Sequence, residues 1–297
     1  MTRAPGSRVV GIARENVTAV GRALPSAARE PVPAARRRRL FAALSLYAAF
    51  MALHVACAWN DGGIVTSLLP GLGSWLGPVD WATYAGFALV VAAFRGWSRT
   101  GIARAPARGW AGLCIAPVVA GLPFVLLGYN LDRGSVVPLL VVGVPLVALN
   151  EELFFRGVLL DLLRPFGWRR AVLWSAVLFG ASHLANLFSG AYLPFTVMQV
   201  AATAGGGVML AAIRIRTGSL WPVLLVHAAV DLVAISTLTG PATASPILLP
   251  VLFLWLVANL ALWRLGWRML DGRTPTQLDD LFDGERAPGQ APTAAPA

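Results

Sequence analysis

The sequence predicts an all-α fold, a polytopic bundle of about eight transmembrane helices, and three observations support this prediction. Of the 297 residues, 57% are hydrophobic and only 13% are charged, whereas a soluble domain carries roughly 25% charged residues. Apolar stretches of about 20 residues, the length that spans a bilayer, recur between residues 40 and 265. The basic residues are all arginines, and nearly all of them lie before, between or after these stretches rather than within them. We therefore expect an integral membrane protein that crosses the bilayer as helices.

The apolar runs predict where each span begins and ends. The expected spans are about 40–59, 76–94, 109–128, 136–163, 171–188, 194–213, 218–238 and 246–265. With this assignment the loop arginines fall on one side of the membrane, and only Arg133 lies on the other. Because arginine-rich loops stay in the cytoplasm, both termini are predicted to be cytoplasmic.

Composition divides the chain into three segments. Residues 1–35 are predicted to be a flexible, basic cytoplasmic segment, residues 36–270 hold the spans, and residues 271–297 are predicted to be a disordered tail. The formal net charge of +10 resides largely in loop arginines, so the lipid bilayer is the expected surrounding and no nucleic acid is expected. The arginine-only, alanine-rich composition is typical of a high-GC bacterium, which suggests a bacterial plasma membrane.

Two carboxylates and a guanidinium interrupt the fourth predicted span. The stretch 150–156, Asn-Glu-Glu-Leu-Phe-Phe-Arg, lies between uncharged apolar runs. A charge at mid-membrane costs at least about 2.5–3.5 kcal/mol, so such residues usually face a polar cavity and serve a function. Glu152 and Arg156 are four positions apart, a spacing that lets them pair on one helix face.

Two later spans carry the matching polar groups. His183 lies in the fifth span, and His227 lies in the seventh, one helical turn before Asp231. Counted from the arginines that mark the inner ends of their spans, Glu151, His183 and His227 lie at a similar depth of about 16–20 Å. Three helices therefore bring ionisable groups to one level of the bilayer, which predicts a shared site.

This combination of groups is typical of hydrolysis. A carboxylate such as Glu151 takes a proton from water, and an imidazole such as His183 orients that water or carries the proton. A second histidine with a polar partner stabilises the oxyanion of a tetrahedral intermediate. The set Glu151, His183, His227 and Asp231 also has the chemistry to hold zinc with an open position for water. The spacing leaves both mechanisms open.

The three motifs together resemble the CPBP family of intramembrane proteases. They are Glu-Glu-x-x-x-Arg at 151–156, Phe-x-x-x-His at 179–183 and His-x-x-x-Asp at 227–231. The family includes CAAX prenyl endopeptidases and bacteriocin-processing or Abi-type proteins, and the resemblance covers about residues 136–235. It implies an endopeptidase that cleaves a peptide or a membrane protein within the bilayer.

The resemblance also implies roles for individual residues. Glu151 and His183 would activate the attacking water, and His227 with residue 231 would bind the oxyanion. Glu152 is predicted to be catalytic together with Glu151, His183, His227 and Asp231, and it would support the site together with Arg156. Two further residues are predicted to be supporting, Phe179 of the second motif and Asn186, one turn beyond His183.

One residue departs from the pattern of several relatives, which carry Asn where this chain has Asp231. An amide donates a hydrogen bond to an oxyanion, whereas an ionised carboxylate only accepts. Asp231 is therefore expected to be protonated, paired with His227 or bound to a metal.

Two other classes of protein remain as alternatives. A proton-coupled transporter also keeps Glu, His and Asp at mid-membrane, but it is often built from two related halves with broken helices, and the sequence shows no such halves. A non-proteolytic member of the same fold, such as an immunity or scaffold protein, would keep the residues for binding. His54, Gln199 and Asn259 lie outside the motifs and are interpreted as polar contacts between helices.

Overall fold

The computed structural model describes residues 34–61, 73–129, 139–238 and 246–284, and within these ranges every regular element is helical. The α-helices are α1 Ala34–Asp61, α2 Gly73–Arg95, α3 Trp97–Thr100, α4 Trp110–Gly121, α5 Val144–Glu152, α6 Leu160–Leu163, α7 Trp168–Ser182, α8 Leu193–Thr217, α9 Trp221–Leu238, α10 Leu248–Leu270 and α11 Pro275–Asp283. Tighter 3-10 helices extend three of them, at Leu122–Leu127, Arg164–Phe166 and His183–Ser189. Wider π-helices precede and follow α5, at Leu139–Gly143 and Leu153–Leu159.

The prediction of an all-α polytopic bundle is confirmed. In the described ranges, five helical segments are long and apolar enough to cross a membrane; they are Ala34–Cys57, Trp110–Leu127, Trp168–Ser189, Leu193–Thr217 and Leu248–Leu270. Two shorter apolar helices are Ala82–Arg95 and Trp221–Thr237. Of the remaining predicted span, 136–163, residues 139–163 are divided between α- and π-helical pieces and include the buried charged residues Glu152, Arg156 and Asp161. The count of eight spans and the cytoplasmic position of both termini stay predictions.

Helix α8 is the central helix of the bundle. Of the five long segments it has the largest buried share, 61% of its most apolar window, and it packs most extensively on α7 and α10. Small residues make these contacts close. A methyl group on Gly180 of α7 would lie 2.5 Å from the carbonyl oxygen of Val200, and one on Gly266 of α10 would lie 3.0 Å from the backbone of Met209. Such close approach by small residues is typical of helix association in membranes.

The fourth predicted span is a broken helix in the middle of the protein. After α5 ends at Glu152, the π-helical stretch Leu153–Leu159 is entirely buried. Gly157 lies in this stretch against Thr100, where an added methyl group would come within 3.1 Å of that side chain. A π-helical segment is rare and often marks a functional site, and here it begins directly after the two adjacent carboxylates.

The structure corrects the predicted boundaries at both ends. The prediction of disorder from residue 271 is wrong for residues 271–284, which include α11. This helix begins with a reciprocal cap between Thr274 and Gln277, and its Leu278, Leu281 and Phe282 are buried. Residues 34 and 35 belong to α1. The rest of both predicted flexible segments, 1–33 and 285–297, lies outside the described residues.

The C-terminal end of α11 is held by arginines of three preceding segments. Arg214 of α8 is fully buried, and its guanidinium lies 3.9 Å from the ring centroid of Phe282. Arg104 and Arg214 both donate hydrogen bonds to the carbonyl oxygen of Phe282, at 2.9 and 3.1 Å, and Arg164 donates to Asp283 at 2.8 Å. Cations near the last carbonyls of a helix are favourable, so charge as well as apolar burial holds α11 in place.

A buried aspartate extends this network into the bundle. Asp161 of α6 is fully buried and pairs with Arg164 at 3.3 Å and with Arg95 at the end of α2. Arg164 in turn reaches Asp279 and Asp283 of α11. Burial raises the pKa of the Asp279 carboxyl above its usual value, an effect that Arg164 opposes. The network therefore connects α2, α6 and α11 at one end of the bundle.

Truncation of Phe282 is expected to release α11 from the bundle. Phe282→Ala removes a fully buried ring that packs on Trp168 and Arg214, and such a loss costs about 3–5 kcal/mol. We expect a lower thermal midpoint and faster trypsin cleavage after Arg273, just before the helix. Phe94→Ala is the matched control, since that ring is 91% exposed. Equal trypsin rates in the two variants would show that α11 does not depend on this contact.

Candidate active site

His227 of α9 is the centre of the site, because it contacts three carboxylates. Its Nδ1 lies 2.7 Å from Oε1 of Glu152. Its Nε2 lies 3.2 Å from Oδ2 of Asp231 and 3.4 Å from Oε2 of Glu151. Ionised carboxylates only accept hydrogen bonds, so these contacts are satisfied when both ring nitrogens carry a proton. The arrangement therefore favours an imidazolium between three acidic groups.

The predicted pairing of Glu152 and Arg156 is present. Nη1 of Arg156 donates to Oε1 of Glu152 at 2.8 Å, and both side chains are fully buried. The guanidinium also lies 4.0 Å from the ring centroid of Phe179. Gly207 of α8 makes room for it, because a methyl group there would come within 2.9 Å of Nη2. Glu152 thus joins Arg156 to His227 and links the fourth predicted span to α9.

Phe179 and His183 form a second part of the site. The ring of Phe179 lies edge-on to both histidines, with centroids 5.2 Å from His183 and 6.0 Å from His227. Nδ1 of His183 lies 3.0 Å from the carbonyl oxygen of Phe179, where α7 gives way to a 3-10 helix. Since a carbonyl oxygen accepts, Nδ1 carries the proton of a neutral ring, and Nε2 keeps a free lone pair. His183 is thus oriented as an acceptor for water.

A cavity of about 130 Å³ lies beside these groups, with room for several water molecules. Most of its wall is apolar and comes from α4, α8, α9, α10 and their extensions. Its polar lining residues are His183, Gln199, Thr203, His227, Asp231 and Asn259. Glu151 does not line the cavity and is 13% exposed. The two residues predicted to activate water therefore meet through His227, which contacts Glu151 and lines the cavity beside His183.

The supporting amides differ from expectation. Asn186, predicted to support the site, does not line the cavity; its side chain donates to Gln199 at 3.0 Å. Gln199 and Asn259, interpreted from the sequence as contacts between helices, both line the cavity. Asn259 also donates to the carbonyl oxygen of Trp255. Only their polarity within apolar spans signalled them in the sequence.

His54 of α1 is a further residue beside the site that the motifs did not include. Its Nε2 lies 3.4 Å from Nδ2 of Asn150, the residue before Glu151. Its ring is stacked between Phe50 and Tyr84, at centroid distances of 4.0 and 3.9 Å. The contact between α1 and the acidic motif is therefore direct.

The four residues considered as zinc ligands were Glu151, His183, His227 and Asp231. Among the described residues, no group of three or more His, Cys, Asp or Glu side chains converges on a point that could hold a metal ion. Both nitrogens of His227 face carboxylate oxygens, and a ligand nitrogen needs a free lone pair. The arrangement therefore does not fit a resident metal ion.

Fold and site together define a class of protein, a polytopic helical membrane protein with a buried acid–histidine site beside a cavity. Comparison with known protein families identifies one family that this chain resembles. The family model described as type II CAAX prenyl endopeptidase Rce1-like matches residues 133–233. That segment includes Glu151, His183, His227 and Asp231 and confirms the resemblance to the CPBP and CAAX protease family. No curated protein and no solved structure matches the chain.

The match covers about a third of the chain, from shortly before α5 to within α9. It supports intramembrane proteolysis as the general activity, a peptide or protein as the substrate, and a location in the membrane. The first two long helices, with His54, lie outside it.

Proposed function

We propose that this protein is an intramembrane endopeptidase that hydrolyses a peptide bond of a membrane-associated protein or peptide. The observation that carries the proposal is the meeting of the three motifs around one imidazole. His227 contacts both glutamates and Asp231, and it shares the cavity with His183. Polar clusters that only join helices need one or two hydrogen bonds, whereas this cluster places a base, a donor and room for water together.

In the first step Glu151 takes a proton from a water molecule, and the water oxygen bonds to the carbonyl carbon of the substrate. His183 offers the lone pair of Nε2 and thereby orients that water, since its Nδ1–H donates to Phe179. The low dielectric of the site strengthens these contacts. The product of this step is a tetrahedral intermediate with a negatively charged oxygen.

The oxyanion needs a donor, and the Nε2–H of His227 supplies it. Asp231 is paired with this nitrogen at 3.2 Å, so it acts on the intermediate through the histidine that it keeps charged. This role accommodates a carboxylate where several relatives carry an amide. Glu152, itself paired with Arg156, holds the opposite nitrogen of the ring.

Collapse of the intermediate completes the reaction. Glu151 passes the proton taken from water to the leaving nitrogen, and the carbon–nitrogen bond breaks. The products are a carboxylic acid and an amine, and Glu151 returns to its ionised form; the new acid then passes its proton to the amine or to water.

The substrate is proposed to be a peptide segment that enters from the membrane. The matching family is described by its action on CAAX prenyl proteins, so a lipidated C-terminal peptide is one substrate form. In a bacterial membrane, maturation of a bacteriocin, self-immunity or regulated proteolysis offers unlipidated substrates. All of these share a peptide bond close to the bilayer.

The test is a cleavage assay with the full-length protein in liposomes. A peptide library with and without a farnesyl group on a C-terminal Cys is incubated with wild type and with His183→Ala, and products are identified by mass spectrometry. We expect wild type to cleave, and the variant to lose about 10²–10⁴-fold in rate. Leu184→Ala is the control, since Leu184 follows His183 directly, is 42% exposed and does not line the cavity.

Each outcome has a defined meaning. Cleavage that persists in a folded His183→Ala variant contradicts the site assignment. A chelator is expected to leave the rate unchanged, and inhibition that added zinc reverses would replace the glutamate mechanism with a metal-assisted one. Failure of wild type to cleave any peptide, together with Glu151-dependent proton flux, would favour a transporter.

A further inference from the structure

The spacing Phe-x-x-x-His occurs twice in this chain. One copy is the motif at 179–183, and the other is Phe50-Met51-Ala52-Leu53-His54 on α1. In both, Nδ1 of the histidine lies 3.0 Å from the carbonyl oxygen of the phenylalanine four residues earlier. Both neutral rings therefore carry their proton on Nδ1 and keep Nε2 as an acceptor. His54 has the orientation and tautomer of His183 but is absent from the mechanism above.

The environment of His54 holds its ring in one orientation. Phe50 and Tyr84 stack on it from two helices, with interplanar angles of 30° and 9°. Phe50 is fully buried and also stacks on Phe154 of the π-helical stretch, at 4.4 Å between centroids. Because the ring is held on both sides, its Nε2 lone pair has a defined position.

The acceptor on His54 determines which way the Asn150 amide points. Nδ2 of Asn150 donates to Nε2 of His54 at 3.4 Å, and the opposite amide orientation would bring an oxygen against a lone pair. Oδ1 of Asn150 is consequently the free end of the amide. This oxygen is buried, since Asn150 as a whole is 1% exposed, and it has no hydrogen-bond partner among the described residues.

A buried acceptor without a donor costs about 1–3 kcal/mol. Such a group in a native protein is commonly satisfied by a bound water or serves a function. Asn150 is adjacent to Glu151 in α5, and their side chains leave the helix about 100° apart. One bound water molecule between them, distinct from the attacking water whose hydrogens go to Glu151 and His183, can donate one hydrogen to Glu151 and the other to Oδ1 of Asn150.

We propose that Asn150 and Glu151 hold a bound water molecule between them that orients the Glu151 carboxylate, and that His54 is the positioning residue that orients the Asn150 amide for this contact. The proposal rests on the proposed function and adds two residues to its mechanism. His54 lies on α1, outside the segment 133–233 that the family model matches. The first helix of the chain thus contributes to catalysis.

Two substitutions at His54 separate an acceptor role from a packing role. His54→Phe keeps an aromatic ring between Phe50 and Tyr84 but removes the acceptor. His54→Gln loses the ring but places an amide oxygen near the position of Nε2. We expect His54→Phe to lower kcat about ten- to hundredfold with KM nearly unchanged, since small misplacement of reacting groups has effects of this size. His54→Gln is expected to stay within about threefold of wild type.

Every other pattern overturns the proposal. An active His54→Phe beside an impaired His54→Gln would mean that the ring only packs. Wild-type rates in both variants would mean that His54 plays no part, and equal loss in both folded variants would exclude the acceptor role. Asn150→Leu, which is close in size and apolar, is expected to lower kcat at least as much as His54→Phe.

A second measurement does not depend on activity. The chain has only three histidines, so nitrogen-15 spectra of histidine-labelled protein in nanodiscs resolve each ring. We expect a neutral Nδ1–H tautomer for His54 and a shift of its Nε2 signal in Asn150→Leu, while the His183 signals keep their tautomer. If wild type cleaves no peptide, the proposed protease function fails, but these spectra still test the His54–Asn150 contact. An unshifted Nε2 signal would refute that contact.

Discussion

The Glu151→Gln variant is expected to lose about 10²–10⁴-fold in kcat with little change in KM or thermal midpoint. An amide cannot take a proton from water, and a general base contributes an effect of this size. Because the reaction needs the base only in the transition state, kcat and kcat/KM should fall together. The measurement is steady-state cleavage of the peptide that wild type prefers.

The Glu151→Gln variant should keep its fold, because Gln has the shape of Glu. In the described structure the Glu151 carboxylate makes one ion-pair contact, at 3.4 Å to His227. The matched control is Asp271→Asn, the same carboxylate-to-amide change in an exposed pair with Arg169. That variant should keep the wild-type rate. A Glu151→Gln variant that cleaves within threefold of wild type would transfer the role of base to another group.

The Arg156→Met variant is expected to be unstable as well as inactive. Removal of one partner from a buried ion pair costs about 3–5 kcal/mol, because the other charge stays buried. Here the remaining carboxylate is Glu152, fully buried and left with His227 alone. The variant should show a much lower midpoint in thermal or detergent unfolding and no detectable cleavage.

The matched control is Arg169→Met. Arg169 pairs with Asp271 at 2.8 Å, and the two side chains are 82% and 49% exposed, respectively. Exposed pairs contribute about 0–1 kcal/mol. The double variant Arg156→Met with Glu152→Gln removes both charges and should recover part of the lost stability, but not activity. If Arg156→Met unfolds at the same midpoint as Arg169→Met, the buried pair does not stabilise the bundle.

The role of Asp231 illustrates how the structure narrowed a sequence-based alternative. The sequence allowed three states for Asp231, namely protonated, paired with His227 or bound to a metal. Its distance of 3.2 Å from Nε2 of His227 fits the paired form, and the described acidic and histidine side chains do not converge on a metal position. The carboxylate therefore contacts the proposed oxyanion donor directly.

His54 shows what motif-based interpretation overlooks. Its Phe-x-x-x-His spacing repeats the second motif, but α1 is distant in the chain, and only the packing of α1 against the broken helix brings His54 to Asn150. The same holds for Gln199 and Asn259, which share one cavity but belong to α8 and α10. Polarity within an apolar span was the signal for all three.

The sequence by itself determined the helical class, the in-helix pairs Glu152–Arg156 and His227–Asp231, and the three motifs. These follow from the cost of charge in a membrane and from the fixed 3.6-residue turn, which makes neighbours of residues four apart. Tertiary structure alone decided that His227 stands between three carboxylates, that α11 docks on the buried Arg214, and that His54 reaches Asn150. Helix period sets the face on which a side chain lies, but the rotation and tilt of one helix against another depend on side-chain packing across the whole bundle.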